Sequence, residues 1–83
     1  TDTEDALREI ETFFPQATTS PALLVDAGSR MAPMIGITAE TYAYAAKALG
    51  PIKAAIAVAT ISLKLDTIEN PGGYLRRMAP KKT

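Results

Sequence analysis

The chain has 83 residues with equal numbers of basic and acidic side chains, so its zero formal net charge favours no class of partner. It contains no cysteine and no histidine. This composition excludes disulfides, removes the commonest general base and metal ligand, and fits a reducing, cytoplasmic setting. The acidic N-terminus is unlike a signal peptide, and the most apolar run is shorter than the roughly 20 residues that a membrane span needs.

A chain of this length forms a single domain at most. We divide residues 1–83 into an N-terminal helix with its connection (1–19), a core bundle (20–79) and a flexible tail (80–83). Glycine and proline separate five segments within it, and all five have helical rather than strand periodicity. The sequence therefore predicts an all-α fold, a compact bundle of four to five short helices.

The first segment, from about Thr3 to Phe14, begins with Asp2 or Thr3 as a helix cap and ends before Pro15. Its apolar residues recur with helical spacing and predict one buried face, made of Ala6, Leu7, Ile10, Phe13 and Phe14. A polar connection, residues 16–19, follows.

The second segment opens with Ser20 as the cap and Pro21 at the first helical position. Its predicted apolar stripe consists of Leu23, Leu24, Ala27 and Met31. Gly28 weakens this helix by propensity, Pro33 kinks or ends it, and Gly36 is the expected C-terminal cap.

The third segment has a clear start, because Ile37 precedes a capping Thr38 and Tyr42 lies four residues past the cap. The alanine-rich residues 39–49 continue the helix until Gly50, and Pro51 begins the next one at once.

The fourth segment, residues 52–67, is apolar on almost every side, which is typical of the central helix of a bundle. Its junction with the third helix at Gly50 also has the size of a helix-turn-helix. In that motif the second helix offers polar side chains to base edges in the major groove. This segment offers mainly alanine, valine, isoleucine and leucine, so we expect it to be buried, with Ile56 near its middle.

The closing motif, Asn70 to Leu75, includes a short helix that continues to Met78. Asn70 is expected to cap the helix that Pro71 begins. Gly72 and Gly73 disfavour a helix by propensity, so they predict a close approach to another helix. Tyr74 and Leu75 should fold back onto the bundle, with Tyr74 largely buried.

No residue pattern predicts catalysis. The acids after residue 11 form no close pair within one predicted helix, and the serines have no histidine partner. Gly72-Gly73 lacks the lysine and the spacing of a phosphate-binding loop. We therefore predict a non-enzyme with no catalytic residues, no cofactor and no metal.

The charges are nevertheless distributed unevenly. Residues 1–11 carry five acids and one arginine, whereas the last fourteen residues carry only cations, namely Arg76, Arg77, Lys81 and Lys82. These four side chains are the candidate nucleic-acid contacts, and the alternative is a solvated tail.

Two further groups of residues have alternative interpretations. Tyr42 and Tyr44 are either an aromatic patch for a partner or residues at the edge of the core with hydrated hydroxyls. The methionines, Met31, Met34 and Met78, either fill the core or line an adaptable groove.

The order of motifs from Met34 to Met78 resembles the C-terminal domain of RepC, the initiator of repABC-type plasmids. The shared elements are Met34 to Ile37, the capping Thr38, Tyr42 in the following helix, Gly50-Pro51, the apolar Ala54 to Ile61, and Asn70 to Arg76. The closing motif is also similar to that of DnaD-type primosomal domains. Beyond Arg76 the chain departs from the family pattern, which continues with a more polar helix.

The resemblance implies a role in plasmid replication initiation. One hypothesis is an interaction module that assists origin complex assembly by contacting replication or initiator proteins. A second is direct, mainly non-specific binding of origin DNA through the basic C-terminal end. A third is a regulatory or structural domain unrelated to replication. None of the three involves a membrane.

Overall fold

The computed structural model describes residues 2–79, and within this range the chain forms five α-helices, two short 3₁₀ helices and no strands. The α-helices are α1 (Asp2–Phe13), α2 (Pro21–Met34), α3 (Ala39–Leu49), α4 (Pro51–Leu63) and α5 (Pro71–Met78). The 3₁₀ helices are Ala17–Thr19, after α1, and Leu65–Thr67, after α4. The predicted all-α fold is confirmed. α1 starts slightly earlier than predicted, with Asp2 already inside the helix.

Side-chain caps define where two of the helices begin. The Ser20 hydroxyl accepts a hydrogen bond from the Leu23 backbone N–H at 3.2 Å, and Pro21 occupies the first helical position of α2. The Thr38 hydroxyl accepts from the Thr41 backbone N–H at 3.1 Å at the start of α3. Both caps were predicted. Each satisfies a backbone N–H that has no hydrogen-bond partner within its own helix.

The turn from α3 to α4 depends on Gly50, whose φ of 94° lies in the region that favours glycine. Its backbone N–H donates to the Ala46 carbonyl at 2.9 Å, and Pro51 starts α4 immediately afterwards. The two helices therefore fold against each other without an intervening loop.

α4 is the centre of the bundle, because it contacts α1, α2, α3 and α5. Six of its thirteen residues are buried, namely Ala54, Ala55, Ala57, Val58, Ala59 and Ile61. Ile56 is only partly buried, packing against this core from its edge. A helix enclosed in this way cannot enter a DNA groove, so the burial of α4 rules it out as a recognition helix.

The central helix is shorter than the predicted 52–67, because α4 ends at Leu63 and Leu65–Thr67 forms a separate 3₁₀ helix. Beyond Ile61 the helix has little left to pack against, and both Leu63 and Leu65 are exposed. The Thr67 hydroxyl also donates to the Lys64 carbonyl at 2.9 Å, a local bond that competes with continued α-helix. The end of α4 therefore coincides with reduced packing and with a local side-chain hydrogen bond.

α1 packs on α4 through Ala6 and Ile10, which are fully buried. A hydrogen bond reinforces this contact, since the Ser62 hydroxyl donates to Glu9 Oε2 at 2.8 Å. Phe14 packs against the core, whereas Phe13, which was predicted on the same face, is 47% exposed. Adjacent helical residues point about 100° apart, and Phe14 follows the last residue of α1, so the two rings face different directions.

α2 approaches α4 closely at Gly28. A methyl group built on Gly28 would lie 2.5 Å from the Ala55 Cβ and 2.6 Å from the Ala55 Cα. Gly28 is therefore a packing residue at a helix crossing, a role that propensity did not indicate. In the same helix Leu24, Ala27 and Met31 are buried as predicted, but Leu23 is 48% exposed.

We predict that Gly28→Ala destabilises the chain although alanine is the better helix former by about 1 kcal/mol. The added methyl overlaps the α4 backbone, and such overpacking typically costs about 1–3 kcal/mol. Urea denaturation followed by circular dichroism measures the change in the free energy of unfolding. Ser29→Ala, on the exposed side of α2, is the matched control and should lie within about 0.5 kcal/mol of the unaltered chain. A more stable Gly28→Ala chain would contradict this account.

Candidate functional site

The closing motif is organised by the side chain of Asn70. Its Oδ1 accepts a hydrogen bond from the Gly73 backbone N–H at 3.0 Å, and Pro71 takes the first position of α5. The Asn70 backbone is non-helical, with φ −131° and ψ 88°, as expected for a residue that precedes proline. The predicted cap is therefore present.

The prediction that Gly72 and Gly73 allow a close approach to another helix is wrong. A methyl group on Gly73 would lie 2.8 Å from Asn70 Nδ2 and 3.1 Å from Asn70 Cγ, so the capping side chain and not another helix occupies that space. A methyl group on Gly72 would meet Thr41 Cγ2 only at an ordinary 3.9 Å. Gly73 thus leaves room for the cap that starts α5.

α5 is attached to the bundle mainly through Leu75, which is fully buried. Tyr74 is only partly buried and packs on the outside of the core, so it is less enclosed than predicted. The helix contacts both α3 and α4. Because Leu75 faces inward, the following arginines lie on the exposed side of a short, firmly held helix.

Arg76 connects α5 to α3. Its guanidinium carbon lies 5.3 Å from the centre of the Tyr44 ring, and its Nη2 donates to Thr41 Oγ1 at 3.4 Å. Arg77 is exposed beside it. The other two predicted nucleic-acid contacts, Lys81 and Lys82, lie outside the described residues. The structure thus places two of the four candidate cations, and one of them rests over an aromatic ring.

The two tyrosines of α3 have different environments. Tyr44 is 40% exposed, whereas Tyr42 is buried and its hydroxyl has no hydrogen-bond partner among the described residues. The predicted hydrated hydroxyl is therefore wrong for Tyr42. Burial raises the pKa of Tyr42 above its ordinary value of 10.0, because the charged phenolate would lose its hydration.

The methionines also separate by environment. Met31 is fully buried and fills the core, whereas Met34 is 61% exposed and Met78 is exposed as well. Met31 therefore fills the core, whereas Met34 and Met78 do not.

An apolar groove lies where α1 leads into α2, with a volume of about 310 Å³. Its lining residues include Phe13, Phe14, Pro15 and Leu23. Phe13 and Leu23 were both predicted in the core, so the sequence analysis missed this surface. The signal that could have revealed it was the Phe13-Phe14 pair, because two neighbouring rings point in different directions.

A second groove, of about 380 Å³, separates α1 from the end of α4 and has a mixed lining. Acids and cations alternate along it, including Asp5, Arg8, Glu9 and Lys64. Glu9 already accepts the hydrogen bond from Ser62. Across residues 2–79 no group of three or more acidic, histidine or cysteine side chains is placed to hold a metal ion.

The helices of the described region are too short or too polar for any of them to cross a membrane. The described residues thus form a small helical bundle whose surface includes an apolar groove and a cationic–aromatic contact.

The family model for the replication protein C C-terminal region matches residues 4–83. The chain therefore belongs to the family of replication protein C C-terminal regions, and its role is related to replication. The match extends the resemblance beyond Met34–Met78 and includes α1. Comparison with curated proteins and with solved structures finds no match.

We predict that Gly73→Val destabilises the chain more than Arg77→Ala, because valine displaces the Asn70 cap while Arg77 is exposed. Loss of such a cap typically costs about 1 kcal/mol, and an exposed substitution changes stability by less than about 0.5 kcal/mol. A double-mutant cycle tests the mechanism. In an Asn70→Ala chain, Gly73→Val should have little further effect. An equal cost in both backgrounds would show that Gly73 acts through some contact other than the cap.

We predict that Tyr42→Phe stabilises the chain by about 1 kcal/mol, since it removes a buried hydroxyl that lacks a partner. The raised pKa of Tyr42 adds a pH dependence. The unfolded chain loses this proton near pH 10, but the folded chain retains it, so stability is full below about pH 10 and falls above it. Urea denaturation at about pH 7 and about pH 11 measures the free energy of unfolding. Its decrease at the higher pH should be smaller for Tyr42→Phe than for the unaltered chain. Tyr44→Phe, at an exposed ring, is the control and should change neither value appreciably.

Proposed function

We propose that this chain is a non-catalytic helical module of a plasmid replication initiator, and that it assists origin complex assembly through protein–protein contacts. Family membership supports the link to replication. The apolar groove supports protein–protein contact, because Phe13 and Leu23, which line it, each leave almost half of their surface exposed to water.

The chemistry of this groove suits a protein partner. Its lining includes two phenylalanines, a proline and a leucine, with Asp26 as its single charged residue. Covering such side chains is favourable by about 25 cal/mol per Å² of apolar surface. Aromatic residues in pockets also contribute strongly to protein interfaces. Phosphates would find no cation along this lining, so replication or initiator proteins are the partners that we propose.

A second candidate function is direct, mainly non-specific DNA binding through the basic C-terminal end. The observation that favours it is the exposure of Arg76 and Arg77 in the last turn of α5, with Lys81 and Lys82 following in the sequence. Four cations without a helix that reads bases give weak binding that salt abolishes. A salt titration of DNA binding therefore separates this candidate from a groove that binds protein.

We expect the initiator that carries both Phe13→Ser and Leu23→Ser to lose origin complex assembly and plasmid replication. The paired substitution removes the large apolar side chains that a partner would cover. Assembly is measured by co-precipitation of the purified initiator with replication proteins of the same host, and replication by plasmid copy number. Met34→Ser, at an exposed methionine outside the groove, is the matched control and should keep both activities.

Thermal denaturation of the same variants separates contact from folding. The proposal requires the paired variant to keep a cooperative transition close to that of Met34→Ser. Normal assembly by a folded paired variant would refute a role for this groove.

A further inference from the structure

Tyr44 and Arg76 form a fixed pair on the surface between α3 and α5. The guanidinium lies 5.3 Å from the ring centre, within the range of a cation–π contact. The guanidinium also donates a hydrogen bond to Thr41 Oγ1 at 3.4 Å. Thr41 is buried and also accepts a hydrogen bond from the Thr38 hydroxyl at 3.0 Å. The pair is therefore anchored to the capped start of α3.

The pair remains open to solvent, since Tyr44 is 40% exposed and Arg76 is exposed. Two more exposed cations belong to the same two helices. Arg77 follows Arg76 in the last turn of α5, and Lys47 lies one turn after Tyr44 in α3. Glu40 is the single acid in α3 and α5 together, so this surface has an excess of positive charge.

We propose that the α3–α5 surface, made of Tyr44, Lys47, Arg76 and Arg77, binds single-stranded DNA. A base stacks against Tyr44 and Arg76, and backbone phosphates lie against Lys47 and Arg77. Exposed aromatic rings combined with cations are the usual means of holding single strands, because every base offers a π-face while the phosphates supply negative charge. This inference rests on the second candidate function and adds to it a stacking residue and a preference for one form of DNA.

A single strand fits this surface better than a duplex does. Duplex recognition inserts a helix or a ribbon into a groove, and the enclosed α4 cannot serve as that helix. α5 is eight residues long and is held down by the buried Leu75. The face of a base is available for stacking on Tyr44 only where the strands are separated.

The test measures fluorescence anisotropy of a labelled mixed-sequence oligonucleotide, single-stranded or annealed to its complement, with the 83-residue chain. We expect tighter binding of the single strand. Tyr44→Ala should weaken it about tenfold, in keeping with the loss of one stacked base, and Tyr44→Phe should keep it. Log affinity falls as log salt concentration rises, and Arg77→Ala should reduce the magnitude of this slope by about 0.7. Arg30→Ala, which removes the same charge from α2, should leave the affinity within about twofold.

Each contrary result has a separate meaning. If Tyr44→Ala binds normally while Arg77→Ala is weakened, the stacking site is overturned and non-specific binding by the basic end remains. Equal affinity for the duplex overturns the single-strand preference. If the unaltered chain binds neither form, both this inference and the second candidate function fail. If Tyr44→Ala impairs replication but not DNA binding, the surface contacts a protein and the inference is wrong.

Discussion

The close approach of α2 to α4 is the contact on which the rest of the bundle depends. Gly28 allows the α2 backbone to reach Ala55, and a side chain at that position would separate the two helices. The many alanines of α4 extend the same principle, because a thin helix can be approached on several sides. Close packing around α4 lets a small chain without cysteines bury a continuous apolar core.

Enclosure of α4 also determines where function can lie. The most apolar segment of the chain is buried in the core, so the surfaces that we propose for partners lie on the outer helices. The apolar groove belongs to the junction of α1 and α2, whereas the cationic–aromatic surface belongs to α3 and α5. The apolar groove and the cationic–aromatic surface thus lie on different helices. The protein contact and the nucleic-acid contact that we propose therefore use different residues.

The start of α3 links the stability of the fold to that second surface. Thr38 caps the helix and also bonds to Thr41, which in turn accepts a hydrogen bond from Arg76. The orientation of Arg76 over Tyr44 therefore depends on a local cap more than thirty residues away in the sequence. α5 adds its own anchor through Leu75, so the surface rests on two independent attachments.

Sequence alone determined the features whose physical causes are local. The caps at Ser20, Thr38 and Asn70 were predictable, because each side chain bonds a backbone N–H only three residues later, at the start of the helix it precedes. The buried central helix followed from its composition, and the order of motifs indicated the family. The tertiary structure decided what depends on distant residues. Gly28 faces Ala55, Phe13 turns outward while Phe14 packs inward, and Arg76 meets Tyr44. The contacts of Gly28 and Arg76 could not be predicted, since the relative placement of two helices is set by packing over the whole bundle and not by either helix alone.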